Sequence, residues 1–224
     1  MTLPPVLDSG EETFAAPRQT RGVEKRRKLT DAAVALFSEK GFDSTSIDDI
    51  TSRAGTATGA FYIYFRSKRQ LLIVLMNELL GRLGRVNLSP KAAAPVGLRR
   101  FLHDIFSVDL EYFGVIRAWH EAALMDPELG AMEERIQAWT QARILRVLQP
   151  LAKQPNARGD RDLPTFARMM DRHFWSLLAR GASLSPQRMS REMMVAADVI
   201  RHYLFRDDAG SPPPTHRPPP PAAR

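Results

Sequence analysis

Side chains able to do covalent or metal chemistry are thinly spread along this chain. Cysteine is absent, which excludes disulfides and thiolate metal sites. The five histidines, at positions 103, 120, 173, 202 and 216, show neither the H-x-x-x-H nor the HExxH spacing that puts two imidazoles on one helix face. No glycine-rich phosphate loop and no Gly-x-Ser-x-Gly turn occurs. Hydroxyls, phenols and a lysine do crowd into one stretch, TSIDDITSRAGTATGAFYIYFRSK at 45–68. Thr45, Ser46, Thr56, Thr58, Tyr62, Tyr64 and Lys68 are groups that bind by hydrogen bonding, and phosphate oxygens and base edges are what they suit.

Those residues must be positioned by helices. Leu29, Ala33, Leu36 and Phe37 recur at the spacing of one buried face over 23–40. Lys40-Gly41-Phe42 ends that helix, with Gly41 suited to a left-handed turn and Phe42 folding back. Ser46-Ile47-Asp48-Asp49 fits a capping box and opens a second helix, which Gly55 breaks. A third short helix is expected over 58–64, and Ser67-Lys68-Arg69-Gln70 caps a fourth running to about residue 85. Two helices across a glycine turn form a helix-turn-helix, whose second member lies in the major groove with its N-terminal residues at base edges. Here those are Ala57, Thr58, Gly59 and Ala60, small enough for close approach. Thr58 can bond a base or a phosphate, and Tyr62 and Tyr64 are either core aromatics or phosphate-contacting phenols. Phe61 and Phe65, four apart, read as a core pair. Thr56 could replace Ala57 as the cap, which would shift the reading helix by one residue. Lys68 sits at a helix start, where a cation is disfavoured by the dipole, so a phosphate partner would explain it.

The remaining chain is helical throughout, about nine helices in all, with no strand alternation and no repeat. Residues 1–20 and the Pro-rich 207–224 are expected to be a disordered arm and tail. The arm runs into a basic stretch, Arg18, Arg21 and Lys25 to Lys28, which is either a solvated face or a phosphate-tracking arm. Net charge is +7 with a pI near 10.1, which favours a polyanionic partner. No apolar run approaches the ~20 residues that span a bilayer, and the N-terminus lacks signal-peptide character, so a cytoplasmic protein with no membrane partner is expected.

RRKLTDAAVALFSEKGFDSTSIDDITSRAGTATGAFYIYFRSKRQLL resembles the tetracycline-repressor (TetR) family of bacterial transcription regulators. The matching features are Ala32-Ala33, Leu36-Phe37, Gly41-Phe42, Thr45-Ser46, Ile50, Ala54-Gly55, Gly59, Phe61-Tyr62, Tyr64-Phe65, Lys68 and Leu71-Leu72. The resemblance covers residues 26–75. It implies an all-α fold: a three-helix DNA-binding head at 21–67, then a helical domain at 68–206 that dimerises and binds a small effector. It also implies DNA contacts from Thr45 or Ser46, Thr58, Gly59, Tyr62, Tyr64 and Lys68, with Thr56 and Ala57 at the start of the reading helix. The partners implied are a double-stranded operator, a second copy of the chain and a small molecule. No cofactor or metal is expected. A helical bundle acting through protein partners is the alternative, and an enzyme is the remotest.

Beyond residue 85 no motif stands out. Phe106, Tyr112, Phe113, Trp119, Met125 and Trp139 are either ordinary core or the wall of an effector cavity, with His120 beside them. Arg117 and Arg143 would anchor an acidic head group; Glu111 and Glu121 would attract a cationic one. A hydrophobic or amphipathic effector is the expectation. The last two helices are apolar on two sides, which calls for two partners. The expected dimer face is Phe166, Met170, Phe174 and Leu177 with Met194, Ala197, Ile200, Tyr203 and Leu204, in a four-helix twofold contact.

Overall fold

The computed structural model describes residues 4–8, 10, 20–85, 112–179 and 185–206, with the side chains of Phe113, Leu178, Ala179 and Pro186 outside the description. Eight helices lie within it: α1 Thr20–Lys40, α2 Ile47–Arg53, α3 Thr58–Phe61, α4 Lys68–Arg85, α5 Phe113–Met125, α6 Pro127–Ala152, α7 Leu163–Ala179 and α8 Pro186–Leu204. The fold is all-α. Among the described residues the one strand-type pairing is an isolated antiparallel bridge between Ala157 and Phe205. The helix expected at 96–110, which carries Phe106, lies outside the described residues, as do Arg18 and the tail from 207.

Caps fix the helix starts. Ser46 and Asp49 form a reciprocal box at α2: the serine hydroxyl accepts from Asp49 N at 3.0 Å, and Ser46 N donates to Asp49 Oδ2 at 2.8 Å. The box at α4 is offset. Ser67 Oγ accepts from Gln70 N at 3.0 Å, while Gln70 Oε1 accepts from Arg66 N, one residue before the cap, at 2.7 Å. Asp126 caps α6, with Pro127 at its first position, and Ser185 caps α8. Gly41 takes φ +81°, and Phe42 folds back until its ring lies 5.6 Å from that of Phe37. α1 starts at Thr20, before the expected 23, α6 runs on through Pro150 to Ala152, and α8 starts at Pro186.

Leu29, Phe37, Ile50, Phe61, Phe65 and Leu71 pack together as the core of the head. α4 is buried on a broader arc than its leucine stripe suggests, because Ile73, Met76 and Leu80 are buried as well. Part of the expected disordered arm is seated on this helix. Leu7 is 3% exposed. Its backbone N–H and carbonyl both bond the Asn77 side-chain amide, each at 2.9 Å. A single leucine in a polar arm has no periodicity to announce such burial.

Head and body meet mainly where α1 packs against α5. Gly114 permits that approach: a Cβ there would collide with the Val34 carbonyl and sit 2.6 Å from Ser38 N. The Glu121 carboxylate accepts from Phe42 N at 2.7 Å and from Arg117 Nε at 2.9 Å, and Arg117 also donates to Ser38 O at 3.3 Å. A second tie runs from Arg69 to Asp126 at 2.6 Å and to Glu128 at 2.7 Å. The Arg69 guanidinium holds the Asp126 carboxyl below the ordinary aspartate range.

Candidate nucleic-acid interface

The head divides the stretch at 45–68 into side chains that face inward and side chains that face out. Phe61 and Phe65 are fully buried with ring centroids 5.5 Å apart, as their spacing predicts. They anchor α3 from below. Gly55, at φ +65°, makes the turn between α2 and α3, and Ala57 is the residue before α3, with no side-chain cap. α3 is one turn long and ends at Phe61, shorter than the expected 58–64. Ala57, Thr58, Gly59, Tyr62 and Ile63 form its exposed side. Tyr62 is 51% and Ile63 61% exposed, and the Tyr62 ring stands edge-on to Phe61 at 5.5 Å. An aromatic supported from beneath, with its hydroxyl outward, suits a phosphate or sugar contact.

Several residues expected at the interface are committed elsewhere. Thr45 is 1% exposed, and its hydroxyl donates to the Gly41 carbonyl at 2.6 Å, so its side chain braces the turn after α1. The Thr56 hydroxyl oxygen is buried with no hydrogen-bond partner among the described residues and does not cap α3, which starts at Thr58. Tyr64 is partly buried and packs on the core. The Ser46 hydroxyl is exposed but engaged with Asp49, to which it donates at 2.6 Å. Lys40 Nζ reaches the same Asp49 oxygen at 2.7 Å, and this ammonium, then Ser46, holds the Asp49 carboxyl well below the ordinary range.

Lys68 has a different partner from the one its position suggests. Its ammonium donates to the carbonyls of Phe42 at 2.6 Å and Thr45 at 2.8 Å, and it lies 4.2 Å from the centroid of the Phe42 ring. These carbonyls compensate a cation at a helix start. Burial pulls the ammonium below the ordinary lysine value, although Asp43 and Asp49 oppose this. The basic run on α1 is partly paired too: Arg27 bridges Glu24 and Asp31, each at 2.9 Å, and Arg26 lies 3.6 Å from Glu78. Lys25 and Lys28 are exposed on the same helix.

One contact across the turn had no sequence signal. Thr58 Oγ1 donates to Asp48 Oδ1 at 2.8 Å, linking the first turns of α2 and α3. Ten residues separate the pair, so no helical spacing marks them.

In the body, Trp119 is fully buried, and its indole N–H finds no partner among the described residues. Its neighbour His120 pairs with Glu133 at 2.7 Å and stands edge-on to Trp175 at 5.2 Å. Asp171 is 3% exposed and accepts from Thr140 at 2.6 Å, Gln141 at 3.3 Å and Trp175. Burial pushes its carboxyl up. Tyr112 and Trp139 are buried beneath the guanidinium groups of Arg82 and Arg143 at 4.8 and 4.7 Å. Three residues expected at the effector site have these surroundings. Arg117 is a head–body tie, Arg143 lies over Trp139, and Met125, at 81% exposure, lines nothing interior.

Most of the residues expected at the dimer face turn inward in the protomer. Phe166, Met170, Leu177, Ala197, Ile200 and Leu204 are buried within the protomer, Phe174 is partly buried, and Tyr203 stacks on Phe166 at 3.9 Å. The outward apolar side chains are Met169 on α7 with Met194, Val195 and Val199 on α8. Apolar side chains thus lie on both the inner and the outer side of these helices, and periodicity cannot say which side turns inward.

An all-α chain with a helix-turn-helix head fastened to a helical body is the architecture of TetR-like regulators. Residues 29–75 match the family model described as bacterial regulatory proteins, tetR family. Over 64 residues it is 48% identical to an uncharacterised HTH-type transcriptional regulator, YvdT, of Bacillus subtilis (strain 168), covering 29% of this chain and 32% of that one. The matched segment thus spans about a third of that relative's length. The whole fold is similar to a protein of Saccharomonospora viridis crystallised with choline, with TM-score 0.60 and 18% identity over 82% of this chain and 99% of that one. It is also similar to SmeT in its triclosan complex, with TM-score 0.57 and 23% identity over 88% and 99% of the two chains. Among the described residues no helix is long and apolar enough to cross a membrane.

Proposed function

We propose that this chain is a homodimeric transcription regulator of the cytoplasm, a repressor that binds a pseudo-palindromic operator and is released by a small hydrophobic or amphipathic effector. The observation that carries the reading is the exposed set Thr58 and Gly59 on α3 with Tyr62 and Ile63 just after it, anchored by Phe61 and Phe65. Small and amphipathic groups leave the backbone free to approach the major groove, while the buried rings fix the orientation of α3. A twofold dimer through the apolar stripe on α7 and α8 would set two such helices a helical turn, or a multiple of it, apart.

The body supplies the response. The buried Trp119 indole N–H, without a partner among the described residues, supports an effector bearing a hydrogen-bond acceptor beside apolar surface. The complexes of the two structural relatives with choline and with triclosan agree with a ligand-binding body. α5 carries Trp119 and also holds the head through Glu121 and Arg117, so a ligand that prefers a displaced α5 would shift the head. A gel shift of the full-length protein on the upstream region of its own gene, at low salt, tests the reading. A retarded band that fades as salt rises is expected; no band at low salt would overturn it.

A further inference from the structure

A hydroxyl carries one hydrogen and two acceptor lone pairs. In Thr58 that hydrogen is already committed, because Oγ1 donates to Asp48 Oδ1 at 2.8 Å. A carboxylate oxygen can only accept, so the direction of this bond is fixed. What Thr58 offers outward is therefore a lone pair. Both residues are exposed, and Thr58 is the first residue of α3, beside Gly59 on the face proposed to enter the groove.

That polarity decides what the pair can meet. In the major groove, adenine N6 and cytosine N4 are donors; guanine N7 and O6 and thymine O4 are acceptors. Phosphate oxygens only accept. An outward lone pair beside a carboxylate suits an exocyclic amine, is mismatched to guanine and thymine edges, and is repelled by phosphate. The same pair explains why an acidic residue stands on a surface otherwise suited to a polyanion.

We infer that Asp48 is a specificity-determining positioning residue: by holding the Thr58 hydrogen it makes that hydroxyl an acceptor, so the head selects adenine or cytosine at the base Thr58 faces. This rests on the DNA-binding reading above. It goes beyond that reading in assigning one base class to one residue pair.

The test is selection of full-length protein on a library of randomised duplexes, with enriched sites sequenced for wild type, Asp48→Ala, Asp48→Asn and Thr58→Val. The wild type should enrich adenine or cytosine at one position in each half-site. Thr58→Val identifies that position by losing the preference. Asp48→Ala should lose it at the same position, by roughly tenfold in discrimination, the size of one good base contact. Asp48→Asn keeps an oxygen for the Thr58 hydrogen and should restore the preference. The inference is overturned if Asp48→Ala leaves the preference intact, since the bond then only braces two helices, or if the Thr58-dependent base is guanine or thymine. If Asp48→Ala does not fold, the Asp48→Asn and Thr58→Val profiles still decide, because an Asn profile matching that of Thr58→Val contradicts the role given to the side-chain oxygen. No enrichment by the wild type removes the DNA-binding reading, and the inference with it.

Discussion

Tyr62 and Lys68 look alike in sequence, each a polar side chain in a stretch suited to DNA, yet they are placed for different work. Tyr62 turns outward over a buried ring, whereas the Lys68 ammonium is spent on two backbone carbonyls. Tyr62→Phe is expected to weaken binding evenly across sequences without loss of folding stability. Lys68→Ala is expected to cost about 1–3 kcal/mol of stability in urea unfolding, because two polar groups lose a charged partner. Its salt slope should be little changed; a slope shallower by about one would place Lys68 on a phosphate after all. The sequence favoured the phosphate because a cation at a helix start needs a counter-charge. The carbonyls that supply it come from residues 26 and 23 positions earlier, which no local pattern reveals. The left-handed turn at Gly41 and the Ser46 box were legible because their partners lie within a few residues.

Asp171 is a second residue whose surroundings dictate a measurable effect. Burial raises its carboxyl, so the folded protein binds this proton more tightly than the unfolded chain does. The sign follows: the contribution is present below the unfolded value near 3.8 and is lost as pH rises through the raised one. Asp171→Asn keeps an acceptor for Thr140 and Gln141 without a titrating proton. Thermal unfolding of this variant should therefore decline less between acid and neutral pH than that of the wild type. Parallel curves would show that Asp171 does not drive the pH dependence.

Among the elements, α5 is the joint. It packs on α1 through Gly114 and places Glu121 beneath the turn that leads to α2. Gly114→Ala forces a methyl into the Val34 carbonyl and the Ser38 amide, both backbone and unable to yield cheaply. A loss of about 1–3 kcal/mol in urea unfolding is expected, the usual cost of overpacking. Wild-type stability in this variant would mean that α1 and α5 are free to separate. In the sequence Arg117 reads as an effector anchor, since nothing marks a helix as packing on a domain more than seventy residues earlier. The helix at 112–125 and the Asp126-Pro127 start were legible because capping is local chemistry.

At the scale of the whole molecule, the proposed dimer would cover the exposed apolar side chains Met169 on α7 and Met194, Val195 and Val199 on α8. Val195→Asp puts a charge in that contact while leaving the protomer interior untouched. Sedimentation equilibrium should then report a monomer where the wild type is a dimer, and affinity for a two-half-site operator should fall. A dimeric Val195→Asp protein would place the interface elsewhere. The sequence shows helices apolar on two sides, and the face expected for the dimer mixes Met194, which is exposed, with side chains that are buried in the protomer. Which side turns inward depends on α6, whose contacts with α7 are long-range.

The central claim is that two copies of the α3 face enter major grooves of one duplex. Hydroxyl-radical footprinting of the full-length protein on a duplex it selects tests this most directly. The account predicts two symmetric protected patches a whole number of helical turns apart, both lost together in a monomeric variant. A single patch, or no protection at protein concentrations that saturate binding, would contradict it.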